Sequence, residues 1–297
     1  MSEFIGVKKL SDWQECLSFK KDALIFDRIA LSSISDFKRM VVEGAGRDQL
    51  GNIAKEFSWL LEKGVIFEPK FTVQDDEALR GNEQLESIRK LLAQHRRQRE
   101  KLNFNRKGVF WNHWDIWNEY LARSLAIILR VSRKLDAYPI SNLTGSPRNA
   151  PKNEIVTVVI NALPMPSEST SWEQIIEYRS DPDSHSKFLA LRNWMNDISQ
   201  TNLTSIEVEQ KLEYLIDQYQ QHMKLHRIKT NTGTLETVLV TGSEIIEDLV
   251  RFKFSKVAKA LFTVKHRKIA LLEGELTAPG HELAYIIKAR ETFQSTS

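Results

Sequence analysis

The sequence predicts a mixed α+β fold that is rich in helix, with a small β-sheet covered by helices. Hydrophobic residues recur at three- and four-residue spacing over about half of the chain, which is typical of amphipathic helices. Short apolar runs with β-branched and aromatic residues lie between these segments without strict alternation. The chain has 297 residues, of which 27% are charged and 41% hydrophobic. This composition excludes disordered, collagen-like and small disulfide-rich proteins.

In the first half of the chain, the patterns predict two strands and three helices. Gly64 follows the first helix and is expected to cap it, and Pro69 restricts the strand after it to a sheet edge. The predicted elements are a buried strand at 23–32, a helix at 48–63, a strand at 65–71 and helices at 75–101 and 109–135.

In the second half, residues 155–163 (IVTVVINAL) are dense in β-branched residues and predict a strand that ends at Pro164. Helix starts follow it. Three Thr-x-x-Glu patterns predict capping boxes, at Thr170, Thr204 and Thr241. Asp181 before Pro182 predicts a capped start with proline in the first turn. A short strand at 235–240 and a last helix at 279–293 complete the prediction.

The clearest loop is residues 138–153, which contain three prolines and a glycine among small polar residues. We therefore predict an N-terminal mixed part at 1–137 that includes a Trp-rich helix. The loop or linker is 138–153, and a C-terminal part at 154–297 comprises a strand followed by helices. One compact domain is the alternative.

Cys16 is the only cysteine, so no disulfide can form within the chain, which fits a reducing compartment. The N-terminus lacks the apolar core of a signal peptide. No apolar stretch reaches the roughly 20 residues of a membrane-spanning helix. We therefore expect a cytoplasmic protein without a membrane partner; the sequence assigns no oligomeric state.

Positive charge is concentrated in two segments, although the net charge is only +3. Residues 80–107 carry nine Lys or Arg and three Glu, and residues 251–268 carry seven Lys or Arg and no acid. Such cations, with aromatic residues among them, predict nucleic-acid binding. The expected phosphate-binding residues are Arg96, Arg97, Arg99, Lys101, Lys253, Lys256 and Lys259. The alternatives are solvated helix faces and, for the second segment, a helix on a membrane surface.

No phosphate loop, dinucleotide fingerprint, nucleophile elbow or kinase signature is present. We therefore assign no catalytic residue, no metal ligand and no cofactor. One enzyme alternative remains, a metal-dependent nuclease or other phosphodiester hydrolase. It would use Asp27, an acid inside a predicted strand, together with Glu154 or Glu68.

Three further clusters have structural explanations. His222 and His226 lie four residues apart on one helix face but lack the glutamate of a zinc-protease motif. Arg179, Asp181, Asp183 and His185 surround a helix start, where acidic residues serve as caps. Trp111, Trp114 and Trp117 recur every third residue and favour helix packing. If they are exposed, a protein–protein interaction module is the alternative function.

Two regions resemble a group of uncharacterised bacterial proteins, a domain-of-unknown-function family. The segments ALIFDRIAL at 23–31 and WLLEKGVIF at 59–67 are similar to the front of those proteins. Residues 163–198 are similar to their middle region, where a Leu-Pro step precedes a helix with a Tyr-Arg pair. The resemblance implies a bacterial cytoplasmic protein and brings no catalytic residues. It directs attention to Tyr178 and Arg179.

Overall fold

A computed structural model of the chain describes residues 3–9, 18–32, 47–70, 79–101, 107–140, 151–232 and 273–293, with positions 34, 72, 75 and 77. Its strands are β1 (Phe4–Lys8), β2 (Arg28–Leu31), β3 (Ile66–Phe67) and β4 (Asp136–Pro139). Its helices are α1 (Phe19–Ile25), α2 (Arg47–Glu62), α3 (Glu83–Lys101), α4 (Lys107–Arg133), α5 (Pro151–Ala162), α6 (Trp172–Ser180), α7 (Pro182–Ser199), α8 (Ser205–Thr232) and α9 (Ala284–Phe293). The predicted helix-rich α+β fold is confirmed.

The four strands form one parallel sheet in the order β3-β2-β1-β4. Strand β1 lies inside this sheet, and all five of its residues are buried. A strand buried on both faces has no polar side to alternate with, so its sequence, FIGVK, is apolar up to its last residue. The order reverses at β1, so the carboxyl ends of β1 and β4 lie side by side.

Gly6 in the middle of β1 is required by close packing. A Cβ atom at this position would lie 2.6 Å from the ring of Phe26 and 2.7 Å from the side chain of Ile140. The rings of Phe4 and Phe26 stack beside it, with centroids 5.1 Å apart. A side chain at position 6 would therefore displace the aromatic core on this face of the sheet.

Helix α4 packs against the sheet through small and branched side chains. Ala122, Leu125, Ala126 and Leu129 are buried in one cluster with Ile5, Val7, Ala30 and Ala137 of the strands. The two alanines of the helix allow its backbone to approach β1 and β4 closely, and this packing orients the remaining faces of α4.

Several elements were predicted correctly. Helices α2 and α4 match the predictions at 48–63 and 109–135, and β3 lies at the sheet edge. Gly64 has a φ of +70° and donates its backbone N–H to the Leu61 carbonyl, as its predicted capping role requires. Thr204 and Glu207 form the predicted capping box, with Thr204 N 2.8 Å from the Glu207 carboxylate. Helix α7 starts at Pro182, and Asp181 accepts the Ser184 N–H.

The strand predicted at 155–163 is wrong, because residues 151–162 form helix α5. Ile155, Val156, Val159 and Ile160 are buried, and their spacing of one, three and four residues places them on one helix face. The proposed C-terminal part therefore begins with a helix instead of a strand. The β-branched composition of the segment was outweighed by burial of this face.

Two other boundaries differ from the prediction. Residues 23–32 contain the end of α1, a two-residue break and β2. The capping box ahead of α6 is formed by Ser171 and Gln174, one residue after the predicted Thr170 and Glu173. Both pairs of residues can cap a helix, and Ser171 has the extended backbone, with a ψ of 158°, that an N-cap needs.

Strands β1 and β4 were not predicted. Tyr138 and Pro139, at the start of the predicted linker, belong to β4, and Pro151 to Asn153 belong to α5. Residues 141–150, the middle of the linker, lie outside the described residues, so the linker stays a prediction. The predicted strand at 235–240 and the helix from Thr241 also lie outside them.

The chain divides into two compact units, one of residues 1–185 with 289–297 and one of residues 186–288. The second unit is helical in its described part. Phe188 and Tyr285 pack with ring centroids 5.3 Å apart, and Lys187 pairs with Glu275 at 2.7 Å. Within the described ranges, no helix combines the length and the hydropathy that a bilayer crossing requires.

Candidate anion-binding surface and cavity

The first predicted basic segment lies on helix α3, in the first unit. Leu85 is buried, and Ile88 and Leu92 are half-buried on the same side of the helix. Lys90 and Arg97 are exposed. At about 100° per residue, positions 90, 97 and 101 fall within about 40° of one another, on the side opposite Ile88. We call these three positions the basic stripe of α3.

The cations of the basic stripe differ from a neighbouring arginine in their pairing. Arg89 is exposed but bonds to Glu86 at 2.6 Å, as an i,i+3 pair. Lys90 and Arg97 make no ion pair with any residue that the structure describes. Both charges are therefore uncompensated within the described part of the chain.

The predicted phosphate-binding residues are described to different extents. Arg97 is an exposed side chain of α3. Arg96, Arg99 and Lys101 have their backbone in α3, but their side chains lie outside the described residues. Lys253, Lys256 and Lys259 lie wholly outside them.

A cavity of about 260 Å³ lies beside β4, between α3, α4 and the start of α5. Ile88, Leu91 and Ile127 supply apolar walls, and Tyr120 adds an aromatic one. The polar lining includes Glu83, Arg123, Arg130 and Asn153. This combination of apolar walls with a few polar groups is typical of small-molecule sites.

The two arginines of the cavity differ in charge compensation. Arg123 is largely buried and bonds to Glu119 at 2.6 Å, so its charge is balanced. Arg130 is half-buried and makes no hydrogen bond or ion pair within the described residues. Burial lowers the pKa of Arg130, whereas the nearby Tyr138 and Asp136 raise it by a smaller amount. Its guanidinium carbon lies 6.0 Å from the centroid of the Tyr138 ring.

The acids near Arg130 are occupied elsewhere or are distant. Asp136 accepts the Tyr138 hydroxyl at 2.5 Å and lies 3.7 Å from the Lys152 ammonium. Glu83 lines the cavity but is not within ion-pair distance of Arg130. Arg130 is thus a partly desolvated cation on the cavity wall.

Asn153 also lines the cavity, but its Oδ1 atom has essentially no accessible surface. Its residue is 8% exposed, and its Oδ1 has no hydrogen-bond partner among the described residues. Sequence reasoning missed this cavity. The available signal was Arg123 and Arg130, which are seven residues apart and therefore lie on one face of the helix.

Asp27, the acid on which the nuclease alternative depended, has a structural role. Its carboxylate lies 2.5 Å from the Arg179 guanidinium and accepts the Phe4 N–H at 2.7 Å. Arg179 also donates to the Phe26 carbonyl. The pair fastens the end of α6 to the beginning of β1 and β2. No cluster of three potential metal ligands occurs in the described part of the chain.

Tyr178 and the histidine pair make packing contacts. Tyr178 is buried against Phe293, with ring centroids 5.2 Å apart. His222 and His226 stack with parallel rings 6.1 Å apart, and no third ligand accompanies them among the described residues. The side chains of Trp111, Trp114 and Trp117 lie outside the described residues, although α4 includes their backbone.

The carboxyl end of β1, where a parallel sheet of this order would bind a ligand, is closed by a buried ion pair. Lys8 is 4% exposed, and its ammonium lies 3.1 Å from Asp22. Ser18 accepts a hydrogen bond from Lys8 and donates one to Asp22 at 3.3 Å.

Comparison with protein-family models, curated proteins and solved structures found no match for this chain.

Proposed function

We propose that the protein binds nucleic acid, and that the basic stripe of α3 makes phosphate contacts. The observation that supports this most is the pair of exposed cations, Lys90 and Arg97, which have no ion-pair partner in the described residues and lie opposite the packed side of the helix. Lys and Arg without acidic partners release counterions when they neutralise phosphates, and this release drives binding.

The spacing of the stripe suits a polyanion. Lys90 and Arg97 are about 10 Å apart along the helix axis, and position 101 extends the stripe by about 6 Å. Flexible side chains at these intervals reach successive phosphates of a strand. This arrangement supports backbone contacts and offers no specific readout of bases, so we expect little sequence preference from α3 alone.

Salt dependence tests the proposal. The full chain is titrated against a fluorescent 20-nucleotide single strand and a duplex of the same sequence, at 50 and 200 mM KCl, with anisotropy as readout. Three phosphate contacts predict a loss of affinity of about 20- to 40-fold between these salt concentrations. The proposal is rejected if neither DNA binds at 50 mM KCl, or if affinity is the same at both concentrations.

A further inference from the structure

We propose that the cavity between α3, α4 and α5 binds a small organic anion, whose carboxylate or phosphate group pairs with Arg130. This inference is independent of nucleic-acid binding by α3, because the cavity and the basic stripe use different residues. It rests on Arg130, which makes no hydrogen bond or ion pair in the described part of the chain, and on the apolar walls of the cavity that Arg130 lines.

Arg130 is the group of the cavity that an anion would complement. Removing a cation from water is costly unless a negative group or hydrogen bonds replace its hydration. Arg123 has that replacement in Glu119. Arg130 makes no hydrogen bond or ion pair within the described residues. Asp136 is near enough to raise the pKa of Arg130, but it pairs with Lys152 and accepts a hydrogen bond from Tyr138. The planar guanidinium suits a carboxylate or a phosphate, which can accept two parallel hydrogen bonds from it.

The rest of the lining defines the body of the ligand. Ile88, Leu91, Ile127 and Tyr120 would contact an apolar or aromatic group. The volume of about 260 Å³ is slightly below the range of about 300–1,000 Å³ that drug-sized ligands occupy.

Simple aromatic probes test the charge requirement. Benzoate and phenyl phosphate carry the two candidate anions on one aromatic ring, and benzamide is a neutral analogue of benzoate. The full chain, labelled with ¹³C at isoleucine methyl groups, reports binding through Ile88 and Ile127. We expect at least one anion to shift both signals with a millimolar or lower Kd. We expect benzamide to bind at least tenfold more weakly.

Two variants locate the anion. Arg130→Met should remove the preference for the anions over benzamide, whereas Arg89→Gln, on α3 but outside the cavity lining, should keep it. The melting temperature of Arg130→Met without probe should equal or exceed that of the wild type, because an uncompensated charge has been removed.

Three results would overturn the proposal. They are no shift at Ile88 and Ile127 with 20 mM of either anion, equal binding of benzamide, or unchanged anion binding by Arg130→Met. If Arg130→Met fails to fold, the comparison of benzoate with benzamide on the wild type still decides the question. Tighter binding of benzoate or of phenyl phosphate identifies the charged group as a carboxylate or a phosphate. If neither anion binds, the nucleic-acid proposal is unaffected.

Discussion

At the residue scale, the most constrained polar group of the sheet is Lys8. It ends β1 in a buried position and is held by Asp22 and Ser18 of the following helix. A buried pair contributes little net stability compared with apolar residues of similar size, yet removing one partner leaves the other charge buried and unpaired. Lys8 and Asp22 therefore fix how α1 meets the sheet.

This pair gives a stability prediction. Asp22→Asn should lower the free energy of unfolding by about 3–5 kcal/mol, because Lys8 stays buried without its counter-charge. The double variant Lys8→Met with Asp22→Leu should recover most of the loss. Glu86→Gln, which breaks the exposed pair with Arg89, should change the free energy of unfolding by less than about 1 kcal/mol. Urea unfolding monitored by circular dichroism measures all three; similar losses at Asp22 and Glu86 would contradict the account.

At the scale of elements, the end of α4 is tied to the segment between β3 and α3. Asp75 lies 3.2 Å from the Arg133 guanidinium and accepts the Thr72 N–H at 2.8 Å. The bonds from Arg133 first, then from Ser132 and Thr72, hold the pKa of Asp75 well below its usual range. A carboxyl group whose pKa is lower in the folded state than in the unfolded state stabilises the fold at pH values above its unfolded pKa of about 4. This stabilisation is lost progressively as the pH falls below that value.

The pH dependence of this tether is testable. Asp75→Asn should lower the urea midpoint at pH 6, and its difference from the wild type should shrink steadily below about pH 4, where the wild type begins to lose the same interaction. Asp197→Asn, at an exposed carboxylate, controls for the loss of one negative charge. A difference that stays constant from pH 6 to pH 2 would show that the Asp75 carboxylate does not stabilise the fold.

Elements were predictable from the sequence where local signals decide them. The regular spacing in α2 and α4, the caps at Asp181 and Thr204 and the turn at Gly64 are encoded within a few residues. Strands β1 and β4 are short and depend on each other across more than 120 residues of chain. Nothing near Phe4 or Asp136 indicates that partner. In α5, β-branched composition favours a strand, and only the tertiary burial of Ile155, Val156 and Val159 selects a helix.

The candidate site shows the same limit. The basic character of α3 is visible in the sequence, and so is the range in which its cations lie. The pairing of Arg89 with Glu86, and its lack at Lys90 and Arg97 among the residues that the structure describes, depends on rotamers and neighbours. Likewise, Asp27 has the sequence context of a catalytic acid until Arg179, 152 residues later, is placed beside it. Charge compensation is a tertiary property, and it separates structural from available charges here.

At the scale of the whole molecule, the account depends on where uncompensated positive charge lies. The net charge of +3 is too small to attract a polyanion by itself. Attraction requires local concentrations of cations, as in the basic stripe and the segment 251–268. Several other described cations, among them Lys8, Arg123, Arg133 and Arg179, are paired with carboxylates. Binding should therefore respond to the position of a removed charge more than to its number.

The most direct test compares two double variants that remove the same charge. Lys90→Gln with Arg97→Gln empties part of the basic stripe, and Arg89→Gln with Lys211→Gln removes two exposed cations elsewhere. With the 20-nucleotide strand at 50 mM KCl, the account predicts at least a tenfold loss of affinity for the first variant, and a salt slope shallower by about 1.4. The second variant should stay within about twofold of the wild type. Equal losses in both variants, or none in the first, would contradict a binding role for this face of α3.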